Sequence, residues 1–339
     1  MVAPVTAIQR TAKEILTTMN NSAIYYSVGP LLYCPADRVS IASSIKSQRF
    51  GTNYSLALCL EDTINDNFVA EAEEQLIASI GDIYNSLQNL EFYLPKIFIR
   101  VRRPGQIKDL ARRLGDSHEI ITGYILPKFS LDCADAYIEQ TANLNRGLKP
   151  VKYVMPIYES SSIVNLRTRH DTLYTLKEKL APIESSVLNI RVGGNDLCHL
   201  FGFRREPTES IHRITPIINI LSDIVTVYGT DYVVSGPVWE YYSGAEWEKG
   251  LRKEIEDDRL CGFIGKTIIH PNQIKPVNDG YKVTEKNYKD ALRILQWNVK
   301  EDSYVSGSAG GDRMDEYKTH INWAQKTRFL AECYGTVQS

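Results

Sequence analysis

Eight short apolar runs, each followed by a stretch with helical apolar spacing, predict an α/β protein built as a closed (β/α)8 TIM barrel. Two further observations point the same way. The runs are continuously apolar rather than alternating, as strands buried on both faces of a parallel sheet are. No Gly-x-Gly-x-x-Gly turn follows the first run, although an open doubly wound sheet would usually carry one. The 339 residues exceed the ~250 of a single barrel. The expected organisation is therefore an N-terminal helical extension over 1–29, the barrel over 30–300, and a C-terminal loop and helix over 301–339 that could serve as a lid or an inter-subunit arm.

Val5 to Met19 spaces Ile8, Ala12, Ile15 and Leu16 as an amphipathic helix. Leu31–Cys34, ended by Pro35, and the weakly helical Val39–Ser47 form the first unit. Leu56–Leu60 follows, with its helix over Val69–Leu87, then Ile97–Val101 with a helix around Ile107–Leu114. Gly123–Leu126 precedes a helix at Ala134–Leu144, and Tyr153–Ile157 precedes one at Ile163–Lys179. Leu188–Val192 runs into Gly193 and Gly194 ahead of a helix near Ile217–Tyr228. Tyr232–Val234 and Lys266–Ile269 lead to helices at Glu246–Glu256 and Glu285–Val299. The Ser/Gly-rich stretch from Ser303 to Asp312 reads as a mobile loop tied to a last helix, Lys318–Cys333.

Hydrophobic residues are 43% and charged residues 24% of the chain, enough apolar content for a full core. A net charge of −2, from 39 basic and 41 acidic residues, gives no general attraction for nucleic acid or an anionic membrane. The six cysteines (34, 59, 133, 198, 261 and 333) form no C-x-x-C pair, so reduced thiols are expected. Residues 1–20 lack the apolar core of a signal peptide, and no run is long enough to span a bilayer, which makes a cytoplasmic location the expectation.

Residues at the C-terminal ends of barrel strands converge in space. Here they are Glu61, Asp62, Arg100, Lys128, Glu159, Asp196 and His270. Carboxylates crowded in one cleft repel one another, and a divalent cation with oxygen ligands relieves the repulsion. Mg²⁺ is expected, and Mn²⁺ fits the same donors, whereas zinc lacks a His or Cys cluster. Arg100 offers a fork for a substrate carboxylate or an enolate oxygen. Gly193, Gly194 and Asn195 would bring backbone N–H groups close to a small anion.

The ordered motifs Leu58-Cys-Leu-Glu-Asp62, Ile99-Arg-Val101, Leu126-Pro-Lys128, Pro156-Ile-Tyr-Glu159, Gly193-Gly-Asn-Asp-Leu197 and Gly262-Phe-Ile-Gly-Lys-Thr-Ile-Ile-His-Pro-Asn-Gln-Ile274 resemble the citrate lyase β-subunit-like branch of the HpcH/HpaI aldolase family, which includes malyl-CoA lyases. The last motif is the most specific. The resemblance implies a Mg²⁺-dependent carbon–carbon lyase, with Glu159 and Asp196 as metal ligands and Arg100 on the oxo-acid carboxylate and enolate oxygen. It also implies that Glu61 and Asp62 order metal-bound water, and that Asp315 of Gly311-Asp-Arg-Met-Asp315 is an acid/base group delivered to a neighbouring subunit of a trimer or hexamer, with Asp312 as the fallback. Cys59 stands where the family usually has Asp, Phe68-Val-Ala-Glu-Ala72 replaces a basic residue and an Ala-Arg pair, and a proline is missing at Glu316-Tyr317. These departures are similar to a divergent subgroup of C–C bond lyase-like proteins from bacterial stress (tellurite-resistance-type) operons.

The resulting expectation is aldol- or Claisen-type cleavage or condensation through a metal-stabilised enolate of a 2-oxo acid or acyl thioester. Two other readings stay open: a Schiff-base aldolase using Lys128, and a catalytically weakened barrel that binds a metabolite within a larger assembly.

Overall fold

The structure is a computed structural model that describes residues 22–298 and 303–338. The helix expected from Val5 to Met19 lies outside the described residues. Strands β1 (Pro30–Pro35), β2 (Ser55–Cys59), β3 (Lys96–Arg100), β4 (Ile121–Leu126), β5 (Tyr153–Tyr158), β6 (Ile190–Val192), β7 (Val234–Ser235) and β8 (Lys266–Ile268) are those expected, with shifted ends. They bond in the order β7-β6-β5-β4-β3-β2-β1-β8, every pair parallel, and a bridge between Gly236 and Lys266 joins the two end strands. The sheet therefore closes into a barrel.

The apolar runs are buried for the reason that predicted them. Inward-facing Leu31, Ala57, Phe98, Ile125, Met155, Ile157 and Leu188 form one core cluster, while outward-facing residues meet the helices. These are α1 (Ile41–Lys46), α2 (Val69–Ser86), α3 (Gly105–Leu114), α4 (Ala134–Asn145), α5 (Arg169–Leu180), α6 (Gly194–Leu200), α7 (Thr215–Tyr228), α8 (Trp247–Cys261) and α9 (Ile274–Tyr281). Helix α2 buries Ala72, Leu76, Ile80 and Ile83, one stripe at helical spacing.

Three expectations change. Strand β6 begins at Ile190, not Leu188: between the bridge Val154–Val187 and the pair Ile157–Arg191 the β6 side carries one extra residue, so the ladder is interrupted. The stretch after β6 is the short helix α6 rather than a loop. The eighth barrel helix is α9, which the sequence hides behind Pro276 and Gly280; Pro276 is tolerated because it lies in the first turn.

The barrel's compact unit is Ile24–Tyr281, so it ends earlier than residue 300, and Lys282 onward belongs to a second unit. In that unit α10 (Glu285–Leu295) packs on α11 (Tyr317–Tyr334) through Ala291, Ile294 and Ala324. The stretch expected as a mobile loop contributes a strand: β10 (Val305–Gly307) pairs antiparallel with β11 (Met314–Glu316). Two-residue strands β9 (Val283–Thr284) and β12 (Thr336–Val337) pair in parallel.

The lysine of the Gly-Phe-Ile-Gly-Lys motif has a structural role. Lys266 is fully buried, its Nζ 2.9 Å from Glu254 Oε1 and 2.7 Å from Asp258 Oδ2. Arg205 pairs with Glu254, and His212 Nε2 lies 2.7 Å from Asp258 Oδ1, so the network ties β8 to α8 and to the chain after α6. Burial disfavours the Glu254 carboxylate, yet Lys266 and Arg205 outweigh it and hold the group down at about 2. A depressed carboxylate contributes stability above its unfolded value, ordinarily 4.5, and loses it as pH falls through the folded value. Lys266→Met leaves two buried acids short of a cation and is expected to cost about 3–5 kcal/mol in urea unfolding. The same variant should lose less stability than the native chain between pH 4.5 and about 2; an unchanged acid profile would contradict this role.

Candidate active site

The C-terminal ends of β2, β3, β4 and β5 meet around the guanidinium of Arg100. Arg100 stands beside Cys59 in register and is only 5% exposed. Its Nη2 lies 2.7 Å from Glu61 Oε2, 2.8 Å from Asp62 Oδ2 and 3.4 Å from Glu159 Oε1, and its Nη1 donates to Cys59 Sγ at 3.8 Å. Its Nε is buried with no partner among the described residues. The guanidinium carbon sits 5.7 Å from the centre of the Tyr33 ring.

Lys128 adds a second cation. Its backbone is left-handed (φ 50°), its N–H donates to Glu159 Oε1 at 2.9 Å, and its Nζ pairs with Glu61 and, at 2.9 Å, with Asp62 Oδ1. Burial would lower the lysine, but bonds from Glu61 and Asp62 hold it above its ordinary value. Burial opposes the Asp62 carboxylate, but the hydrogen bond with Glu61 and the charges of Arg100 and Lys128 hold it below the usual carboxylate range. Burial and the hydrogen bond with Asp62 push Glu61 up.

Glu159 is 4% exposed. Burial, opposed by Arg100 and reinforced by Asp196, pushes its carboxyl up to about 8. A buried acid raised by burial and by a neighbouring carboxylate marks a site short of positive charge. Gly193 keeps the space beside them open: a Cβ there would lie 2.1 Å from Glu159 Oε2. Among the described residues no group of three or more His, Cys, Asp or Glu side chains is placed to hold a metal. Glu159 and Asp196 thus offer a two-carboxylate, all-oxygen donor set. That suits a hard cation that takes its remaining ligands from water and substrate, and it does not suit zinc.

The two glycines serve packing more than anion contact. The Gly193 N–H donates to the Tyr158 carbonyl at 3.2 Å, so it is already engaged. A Cβ on Gly194 would strike Pro237 and Ile211 at 2.7 and 2.8 Å. Asn195 and Asp196 lie in the first turn of α6. His270 is a cap: its Nδ1 accepts from the Asn272 N–H at 3.1 Å, and its ring stacks on Tyr242.

Asp315 lies in the second unit on β11, 2% exposed and paired with Arg293. Asp312 pairs with Lys286.

Two residues were not expected. Tyr33 faces inward with Ala57 and is half-buried against the core cluster. Arg191, in register with inward-facing Ile157 and Ser235, is 1% exposed and donates from Nη2 to Thr267 Oγ1 at 2.6 Å. A charge inside the apolar run Leu188–Val192 was the available signal for Arg191. Strand alternation from Leu31 was the signal for Tyr33.

A closed parallel barrel that gathers acids and a buried arginine at the C-terminal ends of its strands is the architecture of a barrel enzyme, whose active site lies at that face. The family model described as C-C bond lyase of the TIM-barrel fold matches residues 22–336, and the chain belongs to that family. It is 32% identical over 91 residues to a (3S)-malyl-CoA thioesterase of Cereibacter sphaeroides, covering 27% of this chain and 32% of that protein. It is 33% identical over 76 residues to the citrate lyase subunit beta of Haemophilus influenzae, covering 22% and 26%. These alignments span a third or less of the relatives' length. The fold is shared with a citrate lyase from Burkholderia xenovorans (TM-score 0.67, 12% identity, 92% of this chain and 94% of that one). It is also shared with CitE of Mycobacterium tuberculosis in complex with magnesium, acetoacetate and coenzyme A (TM-score 0.58, 18% identity, 91% and 99%).

Gly193→Ala drives a Cβ against both Oε2 and Cβ of Glu159 and is expected to weaken Mg²⁺ binding by about 10- to 100-fold in calorimetry and to cost stability as well. The raised Glu159 must shed its proton to bind a cation. Mg²⁺ affinity of the native chain should therefore fall about tenfold per unit of pH below about 8; a flat profile would contradict the assignment of Glu159.

Proposed function

We propose that the chain is a Mg²⁺-dependent carbon–carbon lyase acting on a 2-oxo acid or acyl thioester, in cleavage or condensation, through an enolate. The observation that carries this reading is the juxtaposition of the raised Glu159, with Asp196 as a charged neighbour, and a buried Arg100 whose Nε has no partner among the described residues. Family membership and the shared fold support it. Glu159 and Asp196 would hold the cation; Mn²⁺ suits the same oxygens. The cation supplies Lewis-acid stabilisation of the oxygen on which charge develops. Arg100 adds a fixed positive charge from Nε to the same fragment, in a site where burial strengthens each electrostatic contact. Glu61 and Asp62 fix Arg100 and Lys128 and so set the direction of that guanidinium. With the Gly193 N–H spent on Tyr158, substrate binding falls to Arg100, with the Gly194 and Asn195 backbone in support. A homo-oligomer is part of this reading, as the family resemblance implies.

The Schiff-base alternative fits the geometry poorly. Lys128 is bonded to two carboxylates that keep it protonated, and a protonated amine is no nucleophile. Borohydride with pyruvate should leave the chain unmodified, and trapping at Lys128 would replace the metal reading.

Asp196→Ala should lose Mg²⁺ binding and at least 100-fold in turnover of 2-oxo acid or thioester substrates, with the fold intact by circular dichroism. Retention of both Mg²⁺ affinity and turnover would sink the reading. Tight 2-oxo acid binding by the native chain without any turnover or enolisation would instead favour a metabolite-binding barrel.

A further inference from the structure

A second arginine stands inside the barrel where the fold alone calls for an apolar side chain, and the lyase reading gives it no task. We propose that Arg191, with Ser235 beside it, forms a carboxylate-binding subsite that reads the acid group of the substrate, so that one reactant held at the mouth is a free 2-oxo acid. The inference rests on the lyase reading above and narrows its substrate class.

Arg191 lies on the inner face of β6, in register with Ile157 and Ser235. Other inner-face residues, among them Leu31, Phe98, Met155 and Ile157, are apolar. A guanidinium in such company is 1% exposed, keeps its charge at any working pH, and is kept only where interactions offset its desolvation. One of these is visible: Nη2 donates to Thr267 Oγ1 on β8 at 2.6 Å. Strand β7 lies between β6 and β8, so the side chain passes over the inner face of β7, where Ser235 stands. Ser235 is itself 1% exposed, and its Oγ has no partner among the described residues. A buried hydroxyl left unmet is costly, and a carboxylate lying along the guanidinium accepts from both groups.

The subsite adjoins the centre already described. Thr267 retains 9% of its surface, and Tyr33, on the strand that pairs with β8, is half-buried, so the approach to Arg191 lies on this side of the mouth. The Arg100 guanidinium sits 5.7 Å from the centre of the Tyr33 ring, and the charges of Arg100 and Arg191 both reach the Tyr33 hydroxyl. The two arginines thus share one neighbour. A small molecule lying on Tyr33 offers its oxo oxygen to Arg100 Nε and its acid group to Arg191. Those two functions sit on adjacent carbons in a 2-oxo acid, whereas an acyl thioester carries sulfur where the carboxylate would stand.

Calorimetry with pyruvate and its neutral analogue pyruvamide, at saturating Mg²⁺, tests the subsite. The native chain should bind pyruvate at least ~10-fold more tightly than pyruvamide. Arg191→Met should lose about 10- to 100-fold in pyruvate affinity and less than about threefold for pyruvamide, with Mg²⁺ affinity retained. Ser235→Ala should lose about 3- to 10-fold for pyruvate alone. An unchanged preference for pyruvate in Arg191→Met would put the carboxylate elsewhere and overturn the proposal. An equal loss for both ligands, the mark of a residue that only shapes the barrel, would overturn it too. Should Arg191→Met not fold, Arg191→Lys keeps the charge without the fork: a reduced preference there and in Ser235→Ala supports the subsite, and the native preference in both overturns it. A native chain that prefers pyruvate but never exchanges its methyl hydrogens in D₂O keeps the subsite and contradicts the lyase reading. A native chain without the preference overturns the subsite and leaves that reading standing.

Discussion

The ion pairs of Arg100 hold the barrel mouth together. Three carboxylates from two strand ends, Glu61, Asp62 and Glu159, share one nearly buried guanidinium. Without it they would repel one another in a cleft where water screens little. Lys128 completes the arrangement from β4 by bonding Glu61 and Asp62 through its side chain and Glu159 through its backbone. The pair Glu61 and Asp62 is thereby neutralised within the protein. Glu159 and Asp196 are not, since Arg100 reaches Glu159 only at 3.4 Å and the carboxyl stays raised. One acid pair is built into the scaffold, and the other is left wanting a cation.

That division explains why a chain with Cys59 in place of an acid keeps a coherent site. Cys59 accepts from Arg100 Nη1, so the guanidinium remains oriented while one negative charge is removed. The rest of the barrel serves this geometry. Gly193 leaves room for Glu159, and the Lys266 network fixes β8 and α8 next to the closing strands.

The barrel was legible because its strands are continuous apolar runs, and a strand such as β2 or β3 can only be that way when both faces are covered. Glu159, Asp196, Arg100, Glu61 and Asp62 were legible because they stand at strand ends, where the fold forces convergence. Other features were not. Helix α9 is short and carries Pro276 and Gly280, so its period is weak beside that of α10, and the boundary of the barrel was placed too late. The purpose of Gly193 depends on the close approach of Glu159, 34 positions earlier, which no local pattern records. The motif containing Asp315 reads as an arm, yet the partner that engages it, Arg293, lies on a helix whose pairing with the β10–β11 hairpin emerges only in three dimensions.

The account stands on Glu159 and Asp196 together holding one divalent cation. The most direct measurement is the anomalous density of crystals grown with Mn²⁺. A single peak within about 2.0–2.3 Å of one oxygen from each of the two side chains is predicted. A peak at Glu61 and Asp62 instead, or none at saturating Mn²⁺, would contradict it.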